Sequence, residues 1–187
     1  MVRLSVRDRL VDATAALIRR NGVAGTGLAD ILQCSGVARR SVYLTFPGGK
    51  EELVAAATRE VGASMTALLA AGGPVAGSVR DFVDLWAVRL RDSGFADGCP
   101  IVAAALGRHS ANAAADAAGA VFADWTSALI ARLRDEGYAE ADARDIATMA
   151  IVSVEGAVVV AQARRTAEPL EVVGRVLEEI VRARRPV

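Results

Sequence analysis

The residues Gly36–Lys50, GVARRSVYLTFPGGK, decide how the chain is read. Gly36 supplies a residue tolerant of positive φ where two short helices meet through a three- or four-residue turn. Before it, Leu28, Ile31 and Leu32 fall at i, i+3 and i+4 and share one helical stripe, and Thr26 or Gly27 stands where that helix would be capped. After it, Val37 and Val42 are expected to plug the angle between the helices. That leaves Ala38, Arg39, Arg40, Ser41, Tyr43, Leu44 and Thr45 on or near the outward part of the second helix. Two adjacent arginines there suit phosphates and guanine edges. A solvated surface pair is the bland alternative, and the turn glycine in front of them favours DNA. Lys50 opens the next helix, where its charge opposes the helix dipole, and a phosphate held beside the exposed amides would compensate. With Thr26, these residues form the expected DNA-contacting set.

Working outward, charge supports that assignment. Net charge is zero over the 187 residues, yet residues 1–50 carry eight basic and three acidic side chains while residues 51–187 carry fourteen and nineteen. The positive charge therefore belongs to the segment expected to dock on double-stranded DNA. Hydrophobic residues make up 53% of the chain and aromatics only 4%, which favours an all-α build over a sheet.

The segment Ser5–Lys50 resembles the DNA-binding head of TetR-type regulators: a first helix ending in a glycine, the stripe at Ile31, Gly36-Val37, then Tyr43 and Phe46 three apart before a Lys-led helix. PGGK after Phe46, and GCPI at Gly98–Ile101, are similar to the LmrA/YxaF-like branch of that family, so the resemblance spans nearly the whole chain. Three positions depart from the pattern. Ala38 stands where a capping Ser or Thr is common, Leu32 fills a usually small position, and Leu44-Thr45 replace an aromatic-His pair. The resemblance implies a helix-turn-helix head over 1–50 and a ligand-binding and dimerisation bundle over 51–187.

Helical periodicity organises the rest. A first helix from about Ser5 to Asn21 has Val6, Leu10, Ala13 and Leu17 at core spacing and Gly22 as its stop. A long helix from Lys50 carries Leu53, Ala57, Val61, Met65 and Leu68 up to Gly72. Beyond Pro74, one helix is striped by Val79, Phe82, Val83, Trp86 and Leu90, a short one follows Pro100, and another is striped by Val121, Phe122, Trp125, Leu129 and Leu133. The next, from about Ala141 to Arg165, is apolar nearly all round, and the last carries Leu170, Val173, Val176, Leu177, Ile180 and Val181. A helix apolar on both sides needs two partners. Gly156, Ala157, Val160 and Ala161, with Val173, Leu177 and Ile180, are therefore expected to pack on a second copy in a homodimer.

Phe82, Trp86, Phe122 and Trp125 have an ordinary reading as core aromatics. The resemblance implies a small-molecule pocket among the middle helices, which would make these four its walls and His109 and Glu155 its polar groups. A carboxylate within an apolar helix must be paired, hydrated or protonated, so Glu155 either meets a ligand or pairs with an arginine across the dimer.

Several classes are set aside. Gly22–Gly27, GVAGTG, has the wrong spacing for a dinucleotide fingerprint, and GGKE lacks the residues of a P-loop. Cys34 and Cys99 are read as buried small hydrophobes, and one histidine completes no metal set with them. No catalytic constellation is visible and no cofactor is expected. The Ala15–Ile18 run is too short for a signal peptide, and no eighteen-residue apolar stretch is expected to cross a membrane, so a cytoplasmic protein is expected. The reading is a regulator, acting as a repressor, that binds a palindromic operator as a dimer and is released by a small hydrophobic or aromatic molecule. The alternative is a helical carrier or enzyme with a vestigial head.

Overall fold

The computed structural model describes residues 4–71 and 73–185, and its regular structure among these is entirely helical. The order is α1 (Val6–Asn21), α2 (Leu28–Ser35), α3 (Arg39–Thr45), α4 (Gly49–Ala70), α5 (Val75–Asp92), α6 (Pro100–Leu106), α7 (Asn112–Asp135), α8 (Glu140–Arg164) and α9 (Glu168–Ala183). The expected stop at Gly72 lies outside the described residues.

By packing, the chain divides into two compact units, one of residues up to Ala63 with Cys99–Val121, the other of Ser64–Gly98 with Phe122–Val187. Both α4 and α7 contribute residues to each unit. The packing division thus differs from a cut at residue 50, because α6 and the first part of α7 belong with the head.

In the first unit, Ser5 and Asp8 close a capping box on α1, with Asp8 N–H donating to Ser5 Oγ at 3.1 Å and Ser5 N–H to Asp8 Oδ2 at 3.2 Å. Val6 turns out exposed, Leu17 packs half-buried against the core as expected, and Ile18 is fully buried in addition. Gly27 caps α2, its N–H donating to Asp30 Oδ2 at 2.9 Å. The core joins Leu10, Val11 and Ala15 of α1 to Ile31, Val37, Val42, Phe46 and Leu53. Cys34 is exposed on α2, contrary to its expected burial, whereas Cys99 is buried. Helix α6 packs on α1.

The second unit is built on α5, α8 and α9. Their contact is close: a methyl added at Gly174 of α9 would lie 3.1 Å from Val83 Cγ1 of α5. Val79, Val83, Trp86 and Leu90 are buried along α5, and Leu170, Leu177 and Val181 along α9. Exposed ion pairs join α5 to α9 through Arg91 and Glu171, at 2.8 Å, and α8 to α9 through Asp142 and Arg184, at 2.9 Å. Such pairs contribute about 0–1 kcal/mol each, so burial holds the unit together.

Contrary to expectation, α4 and α8 are long and apolar enough by composition to cross a bilayer. About 39% and 44% of their apolar windows are buried within the fold.

Candidate functional site

Gly36 adopts φ 63° and ψ 25°, the left-handed conformation its position calls for, and its N–H donates to Leu32 O at 2.9 Å to end α2. Val37 and Val42 are buried beneath the turn. Arg9 of α1 braces it, its guanidinium donating to the Ser35 carbonyl at 2.5 Å. Ala38 occupies the N-cap of α3 with no side-chain bond, so the first amides of this helix are left for water or an external acceptor.

On α3, Arg39 and Arg40 are exposed, as are Ala38, Tyr43 and Leu44, while Ser41 and Thr45 are half-buried. The Thr45 hydroxyl donates to Ser41 O at 2.8 Å. Leu44 is 73% exposed and lies outside the core. Lys50 is half-buried and its Nζ donates to Val23 O at 3.1 Å. Thr26 does not belong to this surface: it is fully buried and its hydroxyl donates to Gly22 O at 2.7 Å. The glycine took the capping position and freed the threonine to staple the loop from inside.

The second unit contains a cavity of about 380 Å³. Phe82 and Leu85 of α5, Trp125 and Leu129 of α7, and Ile151 and Val154 of α8 give it apolar walls, and Leu68 and Leu69 at the end of α4 close one side. Its charged groups are Asp81, Arg132 and Glu155. Glu155 is 9% exposed and lies in the wall itself. Arg132 is engaged: Nη1 donates to Leu69 O at 2.8 Å, and Nη2 donates to Ser78 Oγ at 2.9 Å and to Gly73 O.

Three expected pocket residues are not in this wall. Trp86 is 3% exposed and buried in the packing of α5, its ring covered by the Arg89 guanidinium at 5.7 Å. Phe122 supports the wall indirectly, meeting Trp125 edge-on at 5.4 Å between ring centroids. His109 is exposed in the turn between α6 and α7, which belongs to the first unit. Arg132, Leu68 and Leu69 were missed. Arg132 reads in sequence as one of several charges near the end of α7, and only the fold brings the end of α4 to it.

Comparison with known families gives two matches: residues 10–57 match the model described as bacterial regulatory proteins, tetR family, and residues 75–176 match that described as the C-terminal domain of LmrA/YxaF-like transcriptional regulators. An uncharacterized HTH-type transcriptional regulator of Mycobacterium tuberculosis is 31% identical over 96% of both chains. The regulator LmrA of Bacillus subtilis is 25% identical over 88% of this chain and 90% of its own. A TetR transcriptional regulator from Legionella pneumophila has the same fold, with a TM-score of 0.84 at 20% identity over 96% of this chain and 98% of the other. The chain belongs to the TetR family of bacterial transcriptional regulators.

Within this TetR-family chain the surface of α8 and α9 also differs from expectation. Ala157, Ala161 and Leu177 are 5%, 0% and 2% exposed, so they pack within their own chain and leave nothing for a partner. Val173 and Ile180 are half-buried, and Gly156 and Val160 are exposed as expected. The open apolar side is completed by Met149, Val152 and Val159 on α8 and by Val172 and Val176 on α9. A side chain built at Gly156 would meet nothing within 4 Å, so the glycine leaves a gap in this face.

Proposed function

We propose that this TetR-family regulator is a ligand-responsive repressor that binds a palindromic operator as a homodimer and leaves it when a small hydrophobic or aromatic molecule enters the cavity of the second unit. The observation that carries the reading is the continuity of α4. One end of this helix bears Lys50 just beyond α3, and the other supplies Leu68 and Leu69 to the cavity wall. A ligand that prefers one position of the α4 end shifts the position of the α3 pair, and two heads must keep about 34–36 Å, or a multiple, to read successive major grooves. Residues 1–50 then act as the DNA-binding part and 51–187 as the ligand-binding and dimerisation part. Cytoplasmic residence follows from that role.

In this reading Ala38, Arg39, Arg40, Ser41, Tyr43, Leu44 and Thr45 face the operator, with Lys50 at its edge. Phe82, Trp125 and Glu155 contact the ligand, and the open faces of α8 and α9 pair with their copies. The test combines operator selection from random duplexes with release by a ligand screen. Trp125→Ala and Phe82→Ala should each raise the ligand concentration needed for release while leaving ligand-free operator affinity within a few-fold. Trp86→Ala should instead cost about 3–5 kcal/mol of stability as a core truncation. Release that is unchanged in both cavity variants would place the ligand elsewhere.

A further inference from the structure

We propose that Leu44 is a base-reading residue of α3 and that it recognises the C5-methyl group of a thymine in the major groove, beside the base edge met by Arg40. The inference rests on the operator-binding reading above and adds the chemistry by which one position of the operator is chosen.

The placement follows from the helix itself. Val42 is the one residue of α3 that is fully buried, and it fixes which side of the helix faces the core. Successive residues turn by about 100° around an α-helix, so Arg40 and Leu44, two residues before and two after Val42, lie about 160° from it on either side. They stand at the middle of the outward face, and both are exposed. Arg39, Ser41, Tyr43 and Thr45 lie nearer its margins. There the Thr45 hydroxyl is taken by Ser41 O at 2.8 Å, and the Tyr43 ring lies against the start of α4, where a methyl added at Gly49 would be 3.3 Å from Tyr43 Cε1. A groove that receives α3 from its outward side therefore meets Arg40 and Leu44 first.

Exposure by itself marks nothing, since single apolar residues are common on protein surfaces. The meaning of Leu44 comes from its neighbour. Side chains at i and i+4 are about 5–6 Å apart on a helix and base pairs rise by about 3.4 Å, so Arg40 and Leu44 address positions within about two base pairs of each other. The arginine suits the N7 and O6 acceptors of guanine. Leu44 has no side-chain donor or acceptor, and the thymine methyl is the one methyl group that a major-groove base edge presents. Against a purine edge or the cytosine amino group the leucine would cover polar atoms and return no hydrogen bond. Thymine is thus chosen both by contact with its methyl and by the cost of covering the alternatives. The positive charge of residues 1–50, eight basic against three acidic side chains, matches the phosphates on both sides of that groove.

The experiment uses the full-length protein and the duplex that it selects from a random pool, with binding followed by fluorescence anisotropy. Each thymine of one half-site is replaced in turn by deoxyuridine, which keeps the base pairing and removes only the methyl. One replacement, within two base pairs of a guanine, is expected to weaken wild-type binding by about three- to fivefold, the value of one buried methyl. The same replacement in both half-sites should square that factor. Leu44→Ala, at unchanged thermal stability, should bind the thymine operator more weakly and be indifferent to that deoxyuridine. The two losses are then non-additive, as they are for groups that touch. A wild type indifferent to deoxyuridine at every position overturns the methyl reading while leaving α3 as the operator-binding helix. A methyl effect undiminished in Leu44→Ala removes Leu44 as its reader. Selection of no duplex at all overturns the operator reading and this inference together.

Discussion

Lys50 has two calls on its charge, and they are separable. Its Nζ already donates to Val23 O at 3.1 Å, tying the start of α4 back to the loop after α1. Lys50→Ala should therefore lower stability by about 1 kcal/mol through the lost bond and, if the ammonium also meets a phosphate, lower the salt dependence of operator binding by about one ion. Arg39 and Arg40 have no such internal task on the surface of α3. Their double alanine variant should bind the operator far more weakly at unchanged thermal stability, and Arg40→Ala should relax base preference by about 1–3 kcal/mol if it reaches a guanine. Binding by the double variant at wild-type strength, measured by fluorescence anisotropy, would remove α3 as the reading element. Tyr138 gives a different residue-level test. It is buried, its hydroxyl donates to Val181 O at 2.8 Å, and burial, followed by the nearby Glu136 charge, raises its pKa, with Arg185 opposing. The neutral phenol is thus favoured in the folded state. The associated stability is fully present below the ordinary tyrosine value of about 10 and is lost as pH rises through the folded value. Tyr138→Phe should be less stable by about 1 kcal/mol at neutral pH and should lose part of the alkaline slope in urea melts.

At the scale of the helix, the open side of α8 and α9 makes the proposed dimer testable with surface changes alone. Val152 is 63% exposed, so Val152→Arg should leave the monomer fold intact and yield monomers by sedimentation, with loss of operator binding. A wild type that is monomeric at micromolar concentration would defeat the pairing. An arginine at Ala157 or Ala161 is a poor probe, because both side chains are inside the fold. This is where the sequence was least legible. On α9, polar residues mark one side and the apolar stripe was readable. On α8, IVSVEGAVVVA is apolar nearly all round and its one charged residue, Glu155, is itself buried, so no polar face shows which apolar residues turn inward. The turn between α2 and α3 was legible for the opposite reason. Gly36, Val37 and Val42 each have one physical job there, and local geometry decides it. The contact of α4 with α7 in the first unit is a further case that needs the fold: a methyl added at Gly62 would overlap the Val121 side chain. Gly62→Ala should cost about 1–3 kcal/mol of stability by urea denaturation, despite its higher helix propensity.

For the whole molecule, the proposed switching needs a residue through which an occupied cavity acts on the end of α4, and Arg132 is placed for that task. The carbonyls in the last turn of a helix lack partners within it, and Arg132 supplies one to Leu69 O at the end of α4 while also holding Gly73 O and Ser78 Oγ at the start of the next helix. Because Arg132 lines the cavity as well, the proposed ligand would act on the end of α4 by displacing its guanidinium from Leu69 O. Neither the charge nor the position of Arg132 in sequence suggests this role, which depends on a connection more than fifty residues earlier. Arg132→Met keeps much of the side-chain bulk and removes every donor. Linkage makes the prediction quantitative: operator DNA must weaken ligand binding by the same factor as ligand weakens operator binding, typically about 5- to 150-fold. In the wild type that factor should appear when the dissociation constant of a ligand found in the release screen is measured with and without saturating operator. In Arg132→Met the free protein should bind that ligand within a few-fold of wild type, whereas the ratio should fall toward one. A ratio equal to that of the wild type would show that the signal leaves the cavity by another route, through the α5 or α8 walls and not through the end of α4.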